Sequence, residues 1–214
     1  MLIIKQKHKG VYMENKSKVN FDQSETKINL ARAFAGECQD GARYQFIAKQ
    51  AEQEGYQYIK TLLKTLAKNE MAHAKTFFDL INQHCTKSHQ NIQITGGYPF
   101  ECGNLNQNLK DSIETEISQS DNVYPSFAQV ARDEGFEVIA KKFEYVASVE
   151  NCHHLLLTQV LEKLKSGKLY KSPTPKKWKC SECGFEHTAK QSWEICPSCE
   201  MPKGCVEISI DTGE

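Results

Sequence analysis

The sequence predicts an all-α fold, a bundle of four long helices, followed by a small C-terminal domain organised by four cysteines. Apolar residues recur at helical spacing through most of residues 26–165. The same pattern of residue types returns after eighty positions, which indicates two helical hairpins related by duplication. Beyond residue 166 the helical spacing stops and two Cys-x-x-Cys pairs follow, which predicts a separate small domain.

The predicted helices are bounded by residues that favour helix ends. Ser24 or Thr26 can cap the first helix, and Gly55 suits its end. The helices are predicted over 26–55, 56–84, 109–135 and 136–165, with a long connection over 85–108 that crosses the bundle. The domain prediction is a flexible extension over 1–25, the bundle over 26–166, a linker over 167–176 and the four-cysteine domain over 177–214.

Composition and charge exclude several classes of protein. The chain has 27 Lys plus Arg and 27 Asp plus Glu, so no global field favours nucleic acid or an anionic membrane. No apolar run approaches the length of a membrane span, and no signal-peptide pattern opens the chain. Nine cysteines are an odd number and argue against a disulfide framework. We therefore expect a cytoplasmic protein whose clustered cysteines bind metal, with neither a nucleic acid nor a membrane as partner.

The repeat carries a carboxylate–imidazole pair in each half. Glu70 and His73 lie three residues apart, and the shift of eighty positions places them on Glu150 and His153. In both halves the pair falls within the apolar line of its helix rather than opposite it. An unpaired buried carboxylate is costly, so two such pairs on inward faces predict a compensating cation.

Two further glutamates extend the inward set. Glu37 lies seven residues before Tyr44, whereas Glu116 lies eight before Tyr124, although the two tyrosines match in the repeat. Both glutamates face inward only if the third helix contains one extra residue, and this predicts a π-bulge near Pro125. Four carboxylates and two imidazoles from four helices are the ligand set of di-iron or di-manganese bundles. Glu70 and Glu150 are then expected to bridge the two metals.

The C-terminal cysteines form a four-thiolate pattern. Cys180 and Cys183 are followed, after twelve residues, by Cys196 and Cys199. Two such pairs place four sulfurs around one ion, which suits zinc or a single iron. The spacing leaves both metals open, but a redox site on the same chain favours iron, because zinc carries no electrons.

From about Thr26 to about Ile208 the chain resembles rubrerythrin. The stretches that carry this resemblance are "AFAGECQDGARY", "NEMAHAKTFF", "YPSFAQVARDEGFEVIA", "VENCHH" and "KWKCSECGFEH…CPSC". The resemblance implies a ferritin-like bundle with an oxo-bridged di-iron centre and a rubredoxin-like domain with one further iron ion. It also implies an NADH-linked peroxidase that reduces hydrogen peroxide to water in oxidative-stress defence.

The resemblance assigns residues and partners position by position. Glu37, Glu70, Glu116 and Glu150 become catalytic metal ligands. Tyr44 and Tyr124 become hydrogen-bond donors to ligands or peroxide, with core filling as the alternative. The full set of implied ligands is Glu37, Glu70, His73, Glu116, Glu150 and His153 for the di-iron site, and Cys180, Cys183, Cys196 and Cys199 for the single iron. The implied partners are a reduced rubredoxin or flavoprotein reductase and a second copy of the chain, in a homodimer or higher oligomer.

Gln119 departs from the family pattern. The family usually has a glutamate at this position, which is thought to exchange with the first-repeat histidine as one iron changes oxidation state. A neutral amide is a poorer ligand, so His73 is expected to stay bound. This keeps open a ferroxidase, iron-handling or dioxygen-reducing role. A zinc-ribbon interaction protein is a third possibility, against which the two buried Glu-x-x-His pairs argue.

Overall fold

The computed structural model describes residues 19–86, 91–100 and 102–210. Most of the predicted flexible extension and the last four residues lie outside them. The bundle contains α1 (Glu25–Gln53), α2 (Gln57–His84), α3 (Leu105–Ser118), α4 (Tyr124–Asp133) and α5 (Glu137–Lys165). A π-helical segment, Gln119–Val123, joins α3 to α4 into one long helix. The all-α four-helix bundle and the π-bulge are both confirmed.

The helix ends follow from local sequence. The Ser24 side chain accepts a hydrogen bond from the backbone N–H of Lys27 and caps α1. Gly55 and Gly135 have φ of 83° and 88°, conformations that favour glycine, and they end α1 and α4. The third long helix starts at Leu105 rather than near Leu109, because Asn104 caps it and Leu105 is buried.

The two hairpins pack as the repeat predicts. α1 packs along α2, while α3 and α4 pack along α5. The buried apolar residues form two clusters, one at each end of the bundle. The first contains Tyr44, Leu63 and Leu157, and the second contains Phe77 and Phe143. The level between the two clusters holds the polar residues of the candidate site.

The C-terminal domain is a small hairpin with two cysteine turns. Strand β1 (Lys171–Lys179) pairs antiparallel with β2 (Glu186–Gln191), and β1 begins inside the segment predicted as a linker. Leu169 and Ile208 pack into the first apolar cluster of the bundle. The domain is therefore docked on the end of the bundle. No helix within the described ranges is long and apolar enough to cross a membrane.

Candidate metal centres

Six side chains from four helices meet between the two apolar clusters. α1 contributes Glu37 and α3 contributes Glu116, while α2 and α5 each contribute a Glu-x-x-His pair. Each glutamate is at most 1% exposed. The structure thus brings together all six ligands expected from the sequence in one buried place.

The six residues divide into two overlapping groups. One group is Glu37, Glu70, His73 and Glu150, and the other is Glu70, Glu116, Glu150 and His153. Within each group the candidate ligand atoms all lie within 4.8 Å of one another. Glu70 and Glu150 belong to both groups, which is the arrangement required of carboxylates that bridge two metal ions.

The first group is arranged around the His73 ring. Its Nδ1 atom lies 3.1 Å from Glu70 Oε2, 3.0 Å from Glu150 Oε1 and 3.3 Å from Glu37 Oε2. One nitrogen cannot donate its single proton to three carboxylates at once. A cation among these atoms satisfies all of them together.

The second group repeats this geometry around the His153 ring. Its Nδ1 atom lies 2.8 Å from Glu150 Oε2 and 3.1 Å from Glu70 Oε1. A third carboxylate oxygen, from Glu116, is 3.9 Å away. The two imidazole rings are 6.0 Å apart between centroids, and each ring lies close to both Glu70 and Glu150.

Unpartnered buried atoms test whether a metal fits this place. Both oxygens of Glu150, one oxygen each of Glu70 and Glu116, and Nδ1 of His153 are buried without a hydrogen-bond partner. Buried polar atoms are normally paired, and the candidate ligand atoms of each group lie within 4.8 Å of one another, so a shared cation would satisfy them. Oxygen and imidazole donors in this ratio suit iron or manganese. The residues fit a two-metal centre.

The electrostatics indicate the same need for positive charge. Burial, followed by the charges of Glu150 and Glu70, raises the pKa of Glu116 well above its usual value. Burial also raises the pKa of Glu37. At both histidines the neighbouring carboxylates outweigh burial, and they raise the pKa of His73 to about 12 and of His153 to about 9. Without metal, protons supply the charge that cations otherwise bring.

Two tyrosines bond to the outer glutamates. The Tyr44 hydroxyl donates to Glu116 Oε1, and the Tyr124 hydroxyl donates to Glu37 Oε1. Both side chains are also buried in the apolar clusters. The sequence left hydrogen bonding and core filling as alternative roles for these two tyrosines. In the structure each tyrosine has both roles. The two bonds are related by the same duplication as the ligands.

A neighbouring amide distinguishes the two histidines. Asn69 Nδ2 lies 3.3 Å from Nε2 of His153. A metal ion on Nδ1 of His153 would leave the ring proton on Nε2. The Asn69 side chain can accept a hydrogen bond from this N–H once its amide group is turned so that the oxygen faces the ring. Asn69 aligns with Val149 in the repeat, so the other half carries no equivalent amide at this position.

The four predicted cysteines form the second centre. Their Sγ atoms lie within 4.8 Å of one another, with 3.7 Å between Cys180 and Cys199 and 3.7 Å between Cys183 and Cys196. The residue after each second cysteine has a positive φ, Gly184 at 75° and Glu200 at 61°. A hydrogen bond from the backbone N–H of Phe185 is the main cause that lowers the pKa of Cys183 to about 7. Tight turns that direct N–H groups at sulfur favour bound metal.

Asp40 is the residue near the site that the sequence analysis did not identify. Its Oδ2 atom accepts a hydrogen bond of 2.8 Å from Gln119 Nε2, and its Oδ1 pairs with Arg43. Gln119, where the family usually has a glutamate, is thus bonded to Asp40 and belongs to neither metal-binding group. The signal was present, because Asp40 follows Glu37 by three residues as Gln119 follows Glu116. The five other cysteines are free and join no metal-binding group among the described residues.

Known proteins share both the sequence pattern and the fold. The rubrerythrin family model matches residues 29–161 and 107–185. Rubrerythrin-1 of Clostridium acetobutylicum is 34% identical over 86% of this chain and 94% of its own length. Rubrerythrin of Nitratidesulfovibrio vulgaris is 31% identical over 86% of this chain and 94% of its own length.

Solved structures extend the similarity of fold. Nigerythrin in a mixed-valence state has a TM-score of 0.58 at 23% identity and covers 98% of this chain and 100% of its own. A bacterioferritin of Desulfovibrio desulfuricans has a TM-score of 0.55 at 18% identity, covering 67% of this chain and 82% of its own. The fold is therefore a ferritin-like bundle followed by a rubredoxin-like domain.

Proposed function

Because the chain belongs to the rubrerythrin family, as a di-iron protein with a rubredoxin-like four-cysteine site, we propose that it reduces hydrogen peroxide to water. The observation that carries this proposal is the pair of centres on one chain. One is a buried carboxylate–histidine site for two metals, and the other is a four-thiolate site suited to a one-electron carrier. Iron storage alone has no need of such a carrier.

The proposed reaction consumes one peroxide, two electrons and two protons and releases two water molecules. When bound, the two iron ions supply the two electrons and act as Lewis acids towards the peroxide oxygens. Glu70 and Glu150 would hold both ions, since they belong to both groups, whereas Glu37 and Glu116 would each hold one. Four carboxylates keep the loaded site close to neutral, which limits the cost of burial.

The tyrosine hydroxyls are the proposed proton-holding groups. Burial and the charge of Glu37 raise the pKa of Tyr124, and burial and the charge of Glu116 raise that of Tyr44. Each hydroxyl therefore keeps its proton at neutral pH, directed at a carboxylate oxygen. The proton shared between the tyrosine hydroxyl and the carboxylate oxygen can then be given to the leaving hydroxide, so that this pair acts as the general acid.

Electron supply and cellular setting complete the proposal. We expect electrons to reach the four-cysteine iron from a reduced rubredoxin or an NADH-linked flavoprotein reductase, in the cytoplasm. Cys183 is the exposed sulfur of this centre, which favours entry of electrons from a docked partner. We expect the working unit to be a homodimer or a higher oligomer.

One observation favours a second candidate function. Gln119 is bonded to Asp40, and this leaves a fixed set of four glutamates and two histidines. That set belongs to the wider class of ferritin-like di-metal sites. A ferroxidase or dioxygen-reducing role is therefore the alternative to the peroxidase.

Anaerobic stopped-flow of the reduced, iron-loaded protein tests this choice. We expect hydrogen peroxide to reoxidise the protein much faster than dioxygen, with return of the red ferric thiolate colour. A variant with Glu70→Ala and Glu150→Ala should keep the colour change with a chemical oxidant and lose the fast reaction with peroxide. Equal or faster oxidation by dioxygen would exclude the peroxidase and favour the alternative.

A further inference from the structure

A large cavity lies between α1 and the long helix formed by α3, the π segment and α4. Its volume is about 940 Å³. Arg32 and Arg43 of α1 line it, together with Tyr98 of the connection and Phe127 of α4. α1 packs chiefly on α2, and α3 and α4 pack chiefly on α5, so this cavity follows a seam between the two hairpins rather than one within a hairpin.

A hydrogen-bonded bridge forms the inner wall of the cavity. Gln119 Nε2 donates to Asp40 Oδ2 across the seam at 2.8 Å, and both residues line the cavity. Arg43 pairs with the other Asp40 oxygen and lies 3.5 Å from Thr115 Oγ1. Asp40 is 5% exposed, so the bridge closes the seam at this level.

The bridge lies at the level of the metal ligands. Asp40 is about one helical turn after Glu37 on α1, and Gln119 is about one turn after Glu116 on α3. The Tyr124 side chain also lines the cavity while its hydroxyl bonds to Glu37. The side chains of the bridge and of Tyr124 therefore separate the cavity from the two outer glutamates.

The chemistry of the bridge suits a closed barrier. An amide facing a carboxylate is attractive, whereas two carboxylates in this position repel each other. Asp40 and Gln119 each follow an outer glutamate by three residues, so they occupy matching places relative to the ligands of the two halves. One side-chain rotation on either helix breaks the bridge without moving a metal ligand.

We propose that this cavity is the route by which the oxidant reaches the di-iron site, with the Asp40–Gln119 bridge as its gate. The proposal rests on the proposed function and adds an entrance and a selectivity filter to it. A small oxidant such as hydrogen peroxide passes when the bridge opens briefly, and bulkier hydroperoxides are held back.

A competing route exists on another face. The His73 side chain is 13% exposed, more than any other of the six ligands, and it does not line the cavity. Access past His73 would make the cavity irrelevant to the reaction. The experiment must therefore block each face separately.

Two tryptophan substitutions provide the matched pair. Ser118 is exposed and lines the cavity, so Ser118→Trp fills the cavity beside the bridge. Thr76 lies three residues after His73 on α2, so Thr76→Trp covers the edge of the His73 face. The probe is azide binding to the oxidised di-iron site, followed by its absorption band in stopped-flow, which requires no turnover.

We expect Ser118→Trp to slow azide binding by about tenfold or more and Thr76→Trp to leave it within about twofold. Slowing by Thr76→Trp alone, or by neither variant, would overturn the proposal. Circular dichroism and iron content check that both variants fold and load.

Removal of the bridge tests the gate itself. The quantity measured is the rate of reaction of the reduced protein with tert-butyl hydroperoxide divided by its rate with hydrogen peroxide. Gln119→Ala should raise this ratio by about tenfold. An unchanged ratio of the two rates would overturn the gate.

The azide result is independent of peroxidase activity. A wild-type protein that fails to reduce peroxide would reject the proposed function, whereas the azide pattern alone decides the route.

Discussion

At the scale of single residues, the buried site changes protonation when metal enters. In the metal-free protein, the neighbouring carboxylates outweigh burial and raise the pKa of His73 to about 12 and of His153 to about 9. Both imidazoles are therefore protonated at pH 7, which lies below both values. A metal ion on Nδ1 requires the neutral ring, so loading must displace these protons.

Proton release on loading is the first prediction. Addition of ferrous iron at pH 7 should release at least two protons per di-iron site, one from each histidine. Glutamates whose pKa is raised in the metal-free site add to this number. The measurement is an anaerobic titration in weak buffer with a pH indicator, on protein whose four-cysteine site is already filled.

A double variant serves as the control for that titration. His73→Ala with His153→Ala should release about two protons fewer per pair of iron ions bound, because the two groups that hold them are absent. Binding of two iron ions to the wild-type protein without proton release would contradict the protonated histidines.

Residue spacing predicted the six side chains that meet in the buried site, but not their neighbours. Glu70, His73, Glu150 and His153 were predictable because the repeat shows each pair twice on an apolar helix face. Asp40 was missed, because its partners Gln119 and Arg43 become visible only when the helices are placed side by side. Contacts across helices depend on helix rotation, and single-sequence spacing fixes that rotation only approximately.

At the scale of secondary-structure elements, the π segment sets the register of the second repeat. Glu37 and Tyr44 are seven residues apart on α1, while Glu116 and Tyr124 are eight apart across Gln119–Val123. Despite this difference, the Tyr44 and Tyr124 hydroxyls make equivalent bonds in the two halves. The extra residue therefore turns Glu116 inward while Tyr124 keeps its place.

Deletion of Asn122 tests this role of the π segment. One residue fewer rotates α3 against α4 by about 100°, which turns Glu116 away from His153. We expect the di-iron affinity to fall by more than about 100-fold, beyond the usual effect of changes outside the ligand set. Circular dichroism should show that the helix content is kept.

Deletion of the exposed Asn91 is the matched control. This residue lies in the connection between the hairpins, where loss of one residue rotates no helix. Full iron loading by the Asn122 deletion, measured by metal analysis and absorption, would show that the register can adjust without the π segment.

At the scale of the whole molecule, the four-cysteine domain is held against the bundle at one close backbone contact. A Cβ atom added to Gly204 would lie 1.8 Å from the Gly55 carbonyl oxygen, at the turn between α1 and α2. Leu169 and Ile208 reinforce this contact by packing into the apolar cluster. The sequence predicted both domains, but this docking joins residues far apart in the chain and could not be read from local patterns.

Gly204→Ala should loosen the docked domain. The added methyl group meets rigid backbone, and such overpacking typically costs about 1–3 kcal/mol. We expect faster proteolysis near Gly167 and a lower unfolding free energy in urea, with an unchanged four-cysteine absorption spectrum. Gly97→Ala is the control, since no atom lies within 4 Å of its added Cβ. Equal proteolysis of both variants would contradict a docked arrangement.

The docked position also constrains the path of electrons. Gly204 meets the bundle at Gly55, and Glu70 lies thirteen residues beyond the start of α2 at Gln57, or about 20 Å along the helix. Electron transfer slows steeply with distance, so the four-cysteine iron of one chain is poorly placed to serve the di-iron site of the same chain. We therefore expect that a second copy presents its four-cysteine domain to this site and gives a shorter path.

Mixing of two inactive variants tests transfer between chains. One variant carries Cys183→Ser and Cys199→Ser and lacks the four-cysteine iron, and the other carries Glu70→Ala and Glu150→Ala and lacks the di-iron site. Each alone should lose steady-state peroxide reduction, whereas subunit exchange of equal amounts should restore about a quarter of the wild-type rate, since half of the dimers are mixed and each has one working pair of centres instead of two. No recovery, despite mixed dimers detected by native mass spectrometry, would mean that each chain must supply its own electrons and that the docked domain has to move.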